Sequence, residues 1–208
     1  MNYDIKLKEI ISSLNYRPKL LLHACCGPCS SYVLEYLSNY FDITILYYNP
    51  NIYPENEYIR RKEELKKFLN QISSNIKVIE GNYETDKYYN AVKDTYMLKE
   101  RSIRCYNCYK LRLEETAKYA IDNAYDYFTT TLSISPYKNS EWLNKIGEEL
   151  EQKYNIKYLY ADFKKNNGYK RSLELSKEYN LYRQDYCGCK YSKEEREEYE
   201  RRKQLITN

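Results

Sequence analysis

The stretch KLLLHACCGPCS, residues 19–30, decides the reading of this chain. Its first half is an unbroken apolar run, the pattern of a strand covered on both faces. Its second half places Cys25, Cys26 and Cys29 in a tight, Gly-Pro-containing turn at what reads as the end of that strand. RCYNCY adds Cys105 and Cys108, and YCGCKYS adds Cys187 and Cys189. All seven cysteines of the chain fall in these three clusters.

The chain has 208 residues, 34 basic and 30 acidic side chains and a formal net charge of +4. That length suits one domain, 1–208, able to bury about 70% of its unfolded surface without disulfide support. The mild positive charge is compatible with a nucleic-acid partner without demonstrating one. The 28 tyrosines are read as genome composition combined with half-buried packing. The N-terminus is charged and lacks the apolar core of a signal peptide, and no segment approaches the ~20 apolar residues of a membrane span. The expectation is a cytoplasmic protein with no membrane partner. In that compartment, clustered cysteines bind metal or do redox work more often than they form structural disulfides.

Outward from the opening strand, apolar runs alternate with helical patterns. Residues 19–24, 42–50, 76–81, 125–132 and 156–163 read as strands. Residues 30–40, 54–72, 108–124 and 140–155 read as helices, the clearest being 54–72, where Tyr58, Leu65, Phe68, Leu69 and Ile72 share a face. Pro54 suits its first turn, and Glu55 and Glu57 its positive end. Residues 192–208 read as an outer, solvated C-terminal helix. Ser192 and Glu195 form a capping-box pattern there, and Glu197/Arg201 and Glu198/Arg202 are spaced as ion pairs. This alternation predicts an α/β fold, a parallel sheet flanked by helices, whose functional crevice lies beyond the carboxyl ends of the strands. The segments after strands one, two, four and five should converge there.

Thiolates are soft ligands suited to zinc or to iron–sulfur clusters. A CxxC at a helix start should have its thiols acidified by the helix dipole. Spacing alone leaves an iron–sulfur site, structural zinc and other uses open. Cys187 and Cys189, separated by one residue, suit either metal ligation or a reducible dithiol.

LLHACCGPCS, YYNPNIYPENEYIRR, IRCYNCYKLRL, TTTLSISPYKN and DFKKNNGYKRSLELSKEYNLYRQDYCGCKYS together resemble the cobalamin-independent epoxyqueuosine reductases, over residues 19–192. The resemblance implies a Rossmann-like fold of the type shared with the PP-loop (HUP) tRNA-modifying enzymes. It implies reduction of epoxyqueuosine to queuosine at the wobble position of tRNA with a GUN anticodon, with an external electron donor. It also implies a 4Fe–4S cluster on Cys25, Cys26, Cys105 and Cys108 and a redox-active disulfide pair, Cys187 and Cys189. An additional iron is implied beside the cluster, for which Cys29 and Asp162 are the candidates.

Asn49 and Asn51 are candidates for orienting the substrate's hydroxyls, or equally for capping the following helix. Tyr137, Lys138, Tyr169, Lys170 and Arg171 interleave aromatic and basic groups, as a flipped base with nearby phosphates requires. Arg104 and Arg112 flank the CxxC, where they could tune a cluster or contact phosphate, surface ion pairing being the plainer role. His23, the single histidine, suits a hydrogen-bonding role behind the thiols rather than ligation. Two other functions share some of these features. A PP-loop tRNA thiolation enzyme should carry an SGGxDS-like turn after strand one, where this chain reads CCGPCS. A zinc-stabilised RNA-binding module would hold zinc without sulfide.

Overall fold

The computed structural model describes residues 2–207, with side chains to Leu205. Met1 and Asn208, the two ends of the expected domain and of the expected last helix, lie outside the described residues. Five parallel strands form one sheet: β1 (Lys19–His23), β2 (Asp42–Tyr47), β3 (Lys77–Glu80), β4 (Tyr127–Thr130) and β5 (Lys157–Tyr158). Their order is β3-β2-β1-β4-β5, so β1 lies at the centre, with His23 in register with Leu46 on one side and Thr130 on the other. Leu20, Leu21 and Leu22 are fully buried, as the continuous apolar run requires.

The helices α1 (Tyr3–Ser12), α2 (Gly27–Leu37), α3 (Glu55–Gln71), α4 (Thr85–Val92), α5 (Ile103–Asp122), α6 (Ser140–Tyr154), α7 (Gly168–Glu178) and α8 (Lys190–Thr207) surround it. One core gathers Leu20, Leu22, Ile43 and Ile45 with Val33, Leu37, Leu65 and Phe68 of α2 and α3. A second gathers Leu21, Leu46 and Phe128 with Leu113, Ala117, Leu143 and Ile146 of α5 and α6. The alternation of Leu20, Leu21 and Leu22 between the two cores is the period-2 geometry of a strand. The parallel, helix-covered sheet is the α/β architecture expected.

Several boundaries differ from expectation. α2 begins at Gly27, inside the cysteine turn, with Cys26 as its extended N-cap and a proline in its first turn. Strand five ends at Tyr158, and after an irregular stretch and a turn over 159–167 the chain enters α7 at Gly168. Gly168 opens α7 where a Cβ would lie 2.0 Å from the Phe163 carbonyl oxygen and 2.5 Å from the Tyr32 ring. Backbone cannot move aside as a flexible side-chain tip can. Gly168→Ala is therefore expected to cost about 2–3 kcal/mol of stability in urea denaturation. No helix among the described residues is long and apolar enough to cross a membrane.

Candidate thiol centre

The turn out of β1 sets the site. Cys25 ends the strand's extension, Cys26 caps α2, and Cys29 follows on its first turn. The three sulfur atoms lie within 4.8 Å of one another, and Cys25 Sγ and Cys26 Sγ are 3.7 Å apart. Cys25 and Cys26 are buried and Cys29 is half-buried. Within the trio one thiolate is favoured. Hydrogen bonds from Cys25 and from Cys29, aided by the Arg61 guanidinium, hold Cys26 well below the ordinary thiol range. Hydrogen bonds with Cys25 and Cys26, together with burial, push Cys29 well above it. Gln184 also reaches in, its Nε2 donating to Cys26 Sγ at 3.3 Å.

Cys105 and Cys108 sit in the first turns of α5, one turn apart. The expected acidification by the helix end does not occur. Burial dominates and pushes Cys105 up to about 11 and Cys108 up to about 12. Cys105 belongs to the core that contains Cys25 and Cys26, while Cys108 packs with Cys189, Tyr88 and Val92. All seven cysteines are unbridged.

A cavity of about 560 Å3 opens beside the trio, with Cys25, Cys29, Tyr137, Lys138, Tyr169 and Cys187 in its wall. It gathers the segments after β1, β4 and β5 together with residues 183–187 of the chain's last third. Lys138 stays charged in this wall: its pKa lies well above the usual range, because the Cys187, Tyr109 and Cys25 side chains outweigh its burial. Tyr137 is exposed at the rim, with the Arg101 guanidinium 5.1 Å from its ring centre.

The segment after β2 does not reach this wall. Asn49 is fully buried, and its Nδ2 donates to the Ala24 carbonyl at 2.8 Å, tying the end of β1 to the β2 loop. Asn51 is also buried, and neither side chain caps α3. Asp162 lies beside a separate recess with Asn2 and Lys165, accepting hydrogen bonds from Ser140 (3.1 Å) and Lys164 (2.6 Å). Arg171 faces outward and holds Glu35 through two bonds, at 3.0 and 2.8 Å. His23 is fully buried, with Nε2 donating to the Tyr48 carbonyl at 3.0 Å and Nδ1 2.9 Å from the Thr130 hydroxyl. Burial, with Arg112 nearby, pushes it down to about 4, so it stays neutral with both nitrogens engaged.

Arg104 and Arg112 are not surface residues; each is 2% exposed. Arg104 pairs with Glu195 at 2.7 Å, and Glu195 also accepts from the Glu100 amide. Glu195 is thus spent on the site rather than on a capping box. Ser192 likewise donates to the Cys189 carbonyl and accepts from the Gly188 amide, fastening the CGC turn. Beyond this first turn α8 is largely solvated, with Arg202 paired to Glu198 and Arg201 bonded to the Glu197 carbonyl. Arg61, Gln184, Arg183 and Tyr186 escaped sequence reasoning. Arg61 alone left a signal, a charged residue on the face that Tyr58, Leu65 and Phe68 mark as buried.

These features define a Rossmann-like α/β protein that collects soft sulfur donors at the carboxyl edge of its central strand. The sequence profile described as "Epoxyqueuosine reductase QueH" matches residues 20–195. The chain belongs to that family. Curated relatives named epoxyqueuosine reductase QueH include one from Staphylococcus epidermidis, 44% identical over 201 residues, covering 92% of this chain and 84% of the relative. Another, from Thermotoga maritima, is 40% identical over 182 residues, covering 86% and 92%. Among solved structures, a U34-tRNA thiolase NcsA from Methanococcus maripaludis, with its [4Fe-4S] cluster, superposes with a TM-score of 0.52. It is 15% identical and covers 91% of this chain and 67% of the thiolase. That likeness is one of fold.

Proposed function

We propose that this chain is the epoxyqueuosine reductase its family name describes, acting in the cytoplasm on tRNA with a GUN anticodon. The reaction takes one epoxide, two electrons and two protons to an alkene and water. The observation that carries the reading is the cavity whose wall holds Cys25, Cys29 and Cys187 together, in a chain of this family. The donor set fits an iron–sulfur cluster: buried soft sulfurs, three of them within 4.8 Å, and no histidine nitrogen left free beside them.

Cys25, Cys26, Cys105 and Cys108 would hold the cluster, and Cys29 an additional iron. When bound, the cluster supplies electrons singly at low potential, refilled by an external donor. The chain's own groups do the rest. Tyr137 and Tyr169 offer rings against which a flipped base stacks, and Lys138 offers a fixed cation to the developing alkoxide. Cys187 and Cys189, as a dithiol that closes to a disulfide, would relay the two electrons and give up the two protons the reaction needs, the external donor then reducing the disulfide for the next turnover.

The test is anaerobic purification and reconstitution, with iron, sulfide and zinc quantified, followed by an assay on epoxyqueuosine-containing tRNA. Iron with matching sulfide, a reduced-state EPR signal and formation of queuosine are expected. Stoichiometric zinc without sulfide would overturn the reading in favour of a zinc-stabilised RNA-binding module. Cys187→Ser is expected to keep its iron and sulfide yet lose multiple turnover. Full multiple turnover in that variant would remove the dithiol from the reaction.

A further inference from the structure

Three arginines among the described residues are almost wholly buried around the thiols: Arg61, Arg104 and Arg112. Two bring their own carboxylate, Glu57 for Arg61 and Glu195 for Arg104, each at 2.7 Å. Arg112 brings none. Its Nε donates to the Cys108 carbonyl at 3.2 Å, its Nη1 lies 3.5 Å from Asn49 Oδ1, and its Nη2 is buried without a hydrogen-bond partner. Asn49 is itself turned toward Arg112 by its bond to the Ala24 carbonyl, so the guanidinium is held in place rather than free to find water.

A buried charge without a counter-charge is strongly destabilising. The ionisable groups that act most strongly on Arg112 are the Cys108, Cys187 and Cys25 sulfurs and the phenol of Tyr109, whose ring centre lies 5.8 Å from the guanidinium. Arg112 does not line the cavity, so a substrate phosphate does not meet it there. What remains to balance it is negative charge on the sulfurs themselves. A cluster ligated by four thiolates carries such charge, and net charge and hydrogen bonds to sulfur set its potential.

We propose that Arg112 is the fixed counter-charge of the thiol centre, a positioning residue that raises the reduction potential of the iron–sulfur cluster. This rests on the functional reading above. Adding an electron makes the centre more negative, and a buried cation favours that state. Arg112→Gln removes the charge at similar length; Arg112→Lys keeps it.

The experiment is a spectroelectrochemical titration of the anaerobically reconstituted wild type and both variants, with iron and sulfide counted and folding checked by circular dichroism. At the wild-type midpoint, the ratio of reduced to oxidised cluster in Arg112→Gln is expected to fall at least tenfold, about 59 mV for one electron. Arg112→Lys is expected to stay near the wild type. A folded Arg112→Gln chain that takes up no cluster, beside an Arg112→Lys chain that does, also supports the counter-charge. Equal midpoints for loaded wild type and Arg112→Gln overturn this inference alone. A wild type that takes up no iron and sulfide overturns the functional reading, and this inference with it.

Discussion

Serine in place of Cys25, Cys26, Cys105 or Cys108 is expected to remove iron and sulfide together. Turnover of epoxyqueuosine-containing tRNA should fall by well over the ~100-fold typical of changes just behind a metal's ligands. A serine hydroxyl is a hard donor that stays protonated, so it cannot stand in for a thiolate. The structure gives each cysteine a distinct starting state. Cys26 is the most acidic thiol of its trio, held well below the ordinary range, and its hydrogen bond with Cys25 pushes that thiol up, whereas burial raises Cys105 to about 11 and Cys108 to about 12. Loading must therefore expel protons from the α5 pair, and uptake should accelerate as pH rises. Cys29 belongs to the trio by distance, yet the family resemblance sets it apart from the four cluster ligands. Cys29→Ser is accordingly expected to keep sulfide in full and to lose only iron in excess of sulfide. Iron and sulfide per chain, measured beside far-ultraviolet circular dichroism, separate these outcomes. Full iron and sulfide in Cys105→Ser or Cys108→Ser would overturn the ligand set.

The central strand and its cysteine turn were legible in the sequence because both are local: an apolar run of period-2 geometry, followed by Gly and Pro. The parallel sheet followed from the alternation of elements. What stayed hidden has a common physical cause. α1, α4 and α7 bury few apolar side chains each, so their hydrophobic pattern is faint: Leu7 in α1, Tyr88 and Val92 in α4, and Leu175 among small and polar residues in α7. Asn166, Asn167 and Gly168 read as a loop; the two asparagines do make a left-handed turn, but one that leads straight into α7 at Gly168.

The site was legible in its donors and only partly in its charges: Arg104 and Arg112 stand out beside the CxxC, but their burial does not show in the sequence. Clustering picks out cysteines, whereas Arg61, Arg104 and Arg112 lie in charged stretches that look solvated until the fold closes over them. The CxxC thiols show the same limit. A helix start favours thiolate, but the packing of Cys108 against Tyr88, Val92 and Cys189 is decided by segments far away in sequence. Asn49 illustrates it again, since a polar residue after a strand fits a substrate contact, a cap or a strut, and only the Ala24 carbonyl and Arg112 beside it select the strut.

Arg61→Gln is expected to destabilise the fold by about 3–5 kcal/mol, the loss found when one member of a buried ion pair is removed. Arg61 is 1% exposed, and its Nε donates to Glu57 Oε1 at 2.7 Å. Its other two nitrogens donate to the carbonyls of Cys187 at 3.0 Å and Tyr186 at 3.4 Å. One guanidinium thus joins α3 to the CGC turn, and its charge also favours the Cys26 thiolate. Gly188 lets it do so: its φ is +136°, and a Cβ there would lie 2.9 Å from Arg61 Nη1. Without Arg61, Glu57 keeps only the Tyr182 hydroxyl, at 3.2 Å, as a partner for a buried carboxylate. Removing both charges should therefore cost less than the sum of the single changes. In a double-mutant cycle of Glu57→Gln and Arg61→Gln, the coupling is expected to reach about 1–3 kcal/mol. The turn itself supplies a second readout, since hydrogen exchange at the Gly188 and Cys189 amides should quicken in Arg61→Gln beyond the change at the β1 amides. Additive stabilities and unchanged exchange at the turn would show that Arg61 neither balances Glu57 nor fastens the CGC turn.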